Sequence, residues 1–255
     1  MLLAIDLGNT NTVFGVYDGD RLVMHWRLST QKDRTVDEYG ILLRNLFALE
    51  KIDAQKIHRV IVASVVPPLD PVLNEMVAQY FSVKPVFVTH ENAGIPVLYD
   101  DPRQVGADRI VNAVAVIQKY GMPAIVVDFG TATTFDAITS AGEYQGGVIA
   151  PGIVISAEAL YEHAAKLPRI EIQKPVTVIG TSTVGSMQSG LFYGYVALVD
   201  GIIGRMKQEL GENARVIATG GQAPLITQET KLIETIDANL TLDGLQLVAS
   251  RLNRF

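Results

Sequence analysis

Apolar residues recur along the chain in short runs broken by Gly, Asp and Pro, and the spacing within each run predicts the elements. Residues 2–7, 12–18 and 21–28 read as three strands, the last two joined through Asp18-Gly19-Asp20, a sequence suited to a tight hairpin. A helix is predicted over 36–49, with Leu42, Leu43, Leu46 and Leu49 on one side. A strand (60–65), a Pro67-Pro68 break, a helix (69–81) and a short strand (85–88) follow. Residues 89–104 form an irregular connection, too long to be a plain link, and Ile95 and Tyr99 argue that it is ordered. After Gly106-Ala107-Asp108-Arg109 a helix runs to about residue 120. Strands are then expected at 124–129, 133–139 and 144–150, one long helix at 183–210, and a strand at 215–219 ending in Gly220-Gly221. A strand near 233–236 and a helix over 242–252 close the chain.

This order contains a repeat. Ala4-Ile5-Asp6-Leu7-Gly8-Asn9-Thr10-Asn11-Thr12 and Val126-Val127-Asp128-Phe129-Gly130-Thr131-Ala132-Thr133-Thr134 are both apolar strands ending in Asp-x-Gly, followed by small hydroxyl and amide residues and a second apolar stretch. They lie about half the chain apart. A lone Asp-x-Gly is usually a plain turn, but two copies in matched apolar settings point to a duplicated fold with a phosphate-binding turn in each half. Gly lets backbone N–H groups approach an anion, and Thr and Asn add neutral donors. A carboxylate cannot face phosphate alone, so the strand-end Asp implies an intervening cation, most often magnesium with its waters retained.

Composition narrows the function classes. With 255 residues, 48% of them apolar, the chain has material for two cores rather than disorder. The duplication divides it into 1–115, with the first phosphate loop and a substrate loop, and 116–255, with the second phosphate loop. A net charge of −6 without a basic run lacks the footprint of a nucleic-acid or anionic-membrane binder. No cysteine is present, which removes disulfides, thiolate nucleophiles and Cys-ligated metals and fits a cytoplasmic protein. The start reads as a strand rather than a signal peptide, and no transmembrane segment is expected.

Several common signatures are missing: a Walker-type phosphate loop, G-x-G-x-x-G, G-x-S-x-G and H-E-x-x-H. The histidines share no metal-ligand spacing. Gly106-Ala107-Asp108-Arg109 has two readings. It is either a helix start with Asp complementing the dipole, or a base and a cation at the mouth of a site, the carboxylate accepting a hydroxyl proton and the guanidinium holding an anionic oxygen.

The two turns, Gly106-Ala107-Asp108-Arg109, Gly146-Gly147-Val148-Ile149-Ala150-Pro151-Gly152 and Met187-Gln188-Ser189-Gly190 occur in an order that resembles the type III pantothenate kinases, members of the acetate and sugar kinase, chaperone ATPase and actin superfamily. The resemblance spans essentially the whole chain. It implies an α/β fold of duplicated ribonuclease-H-like (actin-like ATPase) domains, each a mixed sheet flanked by helices. The implied activity is ATP-dependent phosphorylation of pantothenate to 4'-phosphopantothenate, the first step of coenzyme A biosynthesis, with Asp108 as general base. The implied first ATP loop is Asp6, Leu7, Gly8, Asn9, Thr10, Asn11, Thr12 and Val13, with Asp6 facing magnesium through water. Thr131 is implied as the contact from the second loop, and Gly220 and Gly221 as the adenosine side. Tyr99, Gly106, Ala107, Asp108, Arg109 and Thr183 are implied to bind pantothenate, and Asp128 a monovalent cation, potassium or ammonium. One departure stands before Thr183: the chain reads Gly180-Thr181-Ser182 where many members carry a basic residue and Asn.

The glycines of the long helix (185, 190, 194, 201 and 204) carry a helix-propensity cost of nearly 1 kcal/mol each. Close packing inside one subunit would offset it; in the resembling family the partner is a second subunit, which implies a homodimer. Rival readings are a sugar or acetate kinase, a conformational nucleotide-binding protein resembling actin, and a metabolite sensor. The length leaves no room for the inserted domains of the second, and retention of both Asp6 and Asp108 speaks against the third.

Overall fold

The computed structural model describes residues 1–252 and divides the chain into two compact units. The first takes Met1–Ile95, Asp101–Ala115 and the chain from Thr241 on; the second takes Pro96–Asp100 and Val116–Leu240.

In the first unit β1 (Leu2–Leu7), β2 (Asn11–Asp18) and β3 (Arg21–Ser29) form an antiparallel meander. Gly19 takes the positive φ of the tight β2–β3 turn. β4 (Arg59–Ser64) and β5 (Val86–Phe87) add in parallel, giving the order β3-β2-β1-β4-β5. α1 (Val36–Leu49) opens on a capping box in which Glu38 N–H donates to Thr35 Oγ1 at 3.3 Å and Thr35 N–H donates to Glu38 Oε2 at 2.7 Å. Its buried face is Tyr39, Leu43 and Phe47, which join Leu3, Ile5 and Phe14 in the core. Leu49, expected on the packed side, is 77% exposed: Tyr39, Leu43 and Phe47 set the facing stripe, and Leu49 lies about a third of a turn round the helix from its centre. α2 (Asp70–Phe81) starts one residue later than expected because Pro67–Leu69 forms a 3₁₀ turn. β5 is shorter than expected, since Pro85 has no N–H to give the ladder.

The second unit repeats the plan. β6 (Ala124–Phe129), β7 (Ala132–Ile138) and β8 (Tyr144–Pro151) form the meander, and β9 (Arg215–Thr219) and β10 (Thr235–Ile236) add in parallel, in the order β10-β9-β6-β7-β8. α4 (Ile153–His163), α5 (Thr183–Leu210) and the short α6 (Ala223–Ile226) belong to it. Phe192, Tyr195, Val199 and Ile203 of α5 pack in one core with Ile125, Val127 and Phe135.

α3 (Ala107–Tyr120) begins in the first unit, and α7 (Leu240–Leu252) packs there along most of its length. Tyr17 OH donates to Asp243 Oδ1 at 2.7 Å, and the Gly244 backbone lies so close to the Val111 carbonyl that no Cβ would fit. Each unit is thus a mixed five-stranded sheet flanked by helices, as expected.

Candidate active site

Asp6 stands near the C-terminal end of β1, partly exposed, one residue before the turn into β2. β1 and β2 are paired as far as Leu7↔Thr12, leaving residues 8–11 as the turn, closed by Gly8 N–H to Asn11 O at 3.0 Å. Asn9 and Thr10 are exposed at its tip; Leu7, Thr12 and Val13 are buried behind it. The sheet register sets Leu7 beside Ser64, and Val65 N–H donates to Leu7 O at 3.1 Å. Val65 in turn lies against Gly106: a Cβ there would stand 3.2 Å from Val65 Cγ1. The first unit therefore gathers Asp6 and its loop with Gly106, Ala107, Asp108 and Arg109 at one end of its sheet.

Asp108 lies in the first turn of α3, and its Oδ1 accepts the Arg109 N–H at 2.8 Å. Gly106 makes the bend tight, because a Cβ there would collide with Asp108 Oδ1. Desolvation pushes the Asp108 carboxyl above the ordinary carboxylate range, against the lowering pull of the Arg109 N–H and guanidinium. Arg109 is buried. A desolvated carboxylate at a helix start beside a buried guanidinium is suited to taking a proton near an anionic substrate.

In the second unit, β6 and β7 pair as far as Phe129↔Thr133, so the second turn is residues 130–132, one residue shorter than the first. Gly130 N–H donates to Ala132 O at 3.1 Å, and Thr131 is exposed at the tip. Asp128 lies at the strand end, partly exposed. Gly220 has φ +92°, and a Cβ on it would sit 2.6 Å from Asp128 Oδ1 and from the Phe129 backbone, so only glycine can bring this strand end so close to the loop. Gly221 is exposed beside it.

Tyr99 is half-buried, its ring 3.7 Å from the place a Cβ would take on Gly146. The segment carrying it is fastened to β8, with Leu98 N–H donating to Tyr144 O at 2.8 Å and Tyr144 N–H to Pro96 O at 2.9 Å. Tyr144 OH then donates to the fully buried Asp136 at 2.7 Å. Sequence reasoning missed Tyr144 and Asp136, and also Tyr195, whose hydroxyl meets that of Thr133 at the start of β7, just past the second turn; none carries a motif of its own. Thr183 opens α5 behind the N-cap Ser182, which accepts the Gly185 N–H at 3.1 Å, and it lines a depression of about 840 Å³ with Leu160, Met187 and Leu191.

Among the described residues no cluster of three or more His, Cys, Asp or Glu could hold a metal by itself. A magnesium ion that comes with nucleotide phosphates needs only one or two carboxylates and keeps several waters, and the single strand-end Asp6 beside an exposed turn fits that demand. No helix among the described residues is long and apolar enough to cross a membrane.

The profile of the type III pantothenate kinase family matches residues 2–205. The chain is 53% identical to the type III pantothenate kinase of Koribacter versatilis (strain Ellin345), covering 98% of this chain and 96% of that one. It is 56% identical to the type III pantothenate kinase of Syntrophus aciditrophicus (strain SB), covering 98% and 99%. In fold it is similar to the activator of the 2-hydroxyisocaproyl-CoA dehydratase from Clostridium difficile, solved with bound ADPNP, at a TM-score of 0.57 and 11% identity over 100% of this chain and 97% of that one. That likeness places the duplicated sheets in the actin-like ATPase fold and says nothing of substrate. Identity above half over nearly the full length, on a fold with an Asp-x-Gly turn in each unit, assigns the chain to the type III pantothenate kinase family.

Proposed function

We propose that this protein transfers the γ-phosphoryl group of ATP to the primary hydroxyl of pantothenate, giving 4'-phosphopantothenate and ADP at the start of coenzyme A biosynthesis. The observation that carries the reading is the desolvated Asp108 carboxyl, set beside Gly106 and Arg109 in the unit that also holds the Asp6 loop. As the hydroxyl oxygen bonds to the γ-phosphorus, its proton passes to Asp108, and the bond from the γ-phosphorus to the β–γ bridging oxygen breaks with its electrons leaving on ADP. Acceleration comes from positioning and charge stabilisation more than from covalent chemistry. Asp6 would hold magnesium through water, and the ion would supply neutralisation of the β- and γ-phosphate charge.

The exposed residues of Asp6–Val13 and Thr131 are the phosphate contacts in this reading, and Gly220 and Gly221 border the adenosine. Tyr99, Gly106–Arg109 and Thr183 hold pantothenate. Asp128 holds a potassium or ammonium ion. The protein works in the cytoplasm as a homodimer joined through α5. Support for the dimer comes from Gly190, Gly194, Gly201 and Gly204, where a Cβ would meet nothing within 4 Å: packing among the described residues does not account for them. The deciding assay couples ADP release to a dye and compares pantothenate with sugars and acetate. Turnover with pantothenate alone is expected; stimulation by sugars but not pantothenate would overturn the substrate.

A further inference from the structure

Thr30 follows the last residue of β3 and is fastened to the first loop at three points. Its N–H donates to Thr10 O at 2.9 Å, its Oγ1 donates to Gly8 O at 2.7 Å, and the Thr12 hydroxyl lies 2.8 Å from that Oγ1. With the Thr30 hydroxyl proton committed to Gly8, the hydrogen between the two hydroxyls comes from Thr12, and Thr30 Oγ1 both donates and accepts. In a trans peptide the C=O of one residue and the N–H of the next point in opposite directions. Holding the Gly8 and Thr10 carbonyls on Thr30 therefore turns the N–H groups of Asn9 and Asn11 away from Thr30, and removes two carbonyl dipoles from the side that must meet an anion.

The second unit supplies a comparison within the same chain. Gly152, one residue past the end of β8 as Thr30 is past β3, donates its N–H to Thr131 O at 3.1 Å and has no side chain to add. At this position the shorter turn receives a backbone N–H only, whereas the longer one receives a backbone N–H and a hydroxyl.

We propose that Thr30 is a positioning residue for nucleotide binding, which does not touch ATP but sets the direction of the N–H donors in the first loop. The inference rests on the reading of Asp6–Val13 as a phosphate loop. Thr30→Val keeps the backbone N–H, the size and the β-branch and removes only the hydroxyl. It is expected to raise the KM for ATP and the Kd of a non-hydrolysable ATP analogue about tenfold, the scale of a lost hydrogen bond with its partner left in place. The KM for pantothenate should stay within about twofold, and Thr30→Ser should restore ATP binding. Unchanged ATP binding in Thr30→Val, while Asp6→Asn binds the analogue poorly, would overturn the role of Thr30 and leave the loop reading standing. A lower melting temperature without ligand, equal losses toward both substrates and no rescue by serine would reduce Thr30 to a structural residue. Normal analogue binding by Asp6→Asn would remove the phosphate loop and this inference with it.

Discussion

At the scale of single residues, the enclosure of Asp108 governs its chemistry. Asp108→Asn keeps the size and removes the proton acceptor, so turnover should fall by about a hundredfold or more while ATP still binds; near-normal turnover would make Asp108 a helix-start residue only. A general base must be ionised to act, and desolvation raises the pKa of Asp108. The acid limb of the kcat/KM profile should therefore lie above the ordinary carboxylate range and vanish in the variant. Stability carries the opposite sign. A folded-state pKa above the unfolded value contributes stability that is present below the unfolded pKa and lost as pH rises through the folded one. Ionised Asp108 is a net cost at neutral pH, and Asp108→Asn should melt at or above the wild-type temperature there. Gly106→Ala tests placement rather than chemistry: its Cβ would displace Asp108 Oδ1, and turnover should fall by about a hundredfold with Asp108 still present, the scale of a misplaced catalytic group. Wild-type turnover in that variant would show that the carboxylate tolerates displacement.

At the scale of elements, α5 has two faces. Phe192, Tyr195, Val199 and Ile203 are buried in the core of the second unit, whereas Gly190, Gly194, Ala197 and Gly201 form an exposed stripe of small residues. A solvated face would gain about 1 kcal/mol from each alanine in place of glycine, so the stripe makes physical sense where another backbone approaches. Gly194→Leu should leave the far-UV circular dichroism unchanged and shift sedimentation from dimer toward monomer. A wild-type dimer in that variant would exclude this face as the contact.

For the whole molecule, the duplication gives two strand-end carboxylates, Asp6 and Asp128, to a kinase for which one ATP with one divalent metal would suffice. An acid left facing phosphate repels it, and a monovalent cation on Asp128 with nearby carbonyls would cancel the repulsion. Activity should require potassium or ammonium and be poorly supported by sodium or lithium, which are smaller and more tightly hydrated. Assay in a buffer free of monovalent metals and ammonium checks this: full activity there, unchanged by added potassium, would end the proposal. The alternative is that Asp128 only receives hydrogen bonds from the Thr131–Thr134 turn.

The sequence by itself determined the repeated plan. Strands such as Leu2–Leu7 and Ala124–Phe129 are apolar runs that end at Asp-x-Gly, and the helix at Val36–Leu49 shows itself in the spacing of Leu42, Leu43 and Leu46. These signals are local, so a single chain displays them. Candidate residues could be named from a motif, as Asp108 beside Gly106, or from the family resemblance, as Tyr99 and Thr183. Only the tertiary structure decided that α7 packs with the first unit, that the second turn is one residue shorter than the first, that Tyr144 and Asp136 fasten the Tyr99 segment, and that Thr30 holds the first loop. Each depends on a pairing between segments apart in the chain, or on strand register, and a hydroxyl or buried carboxylate gives no sign in its own neighbourhood of the partner that folding will bring to it.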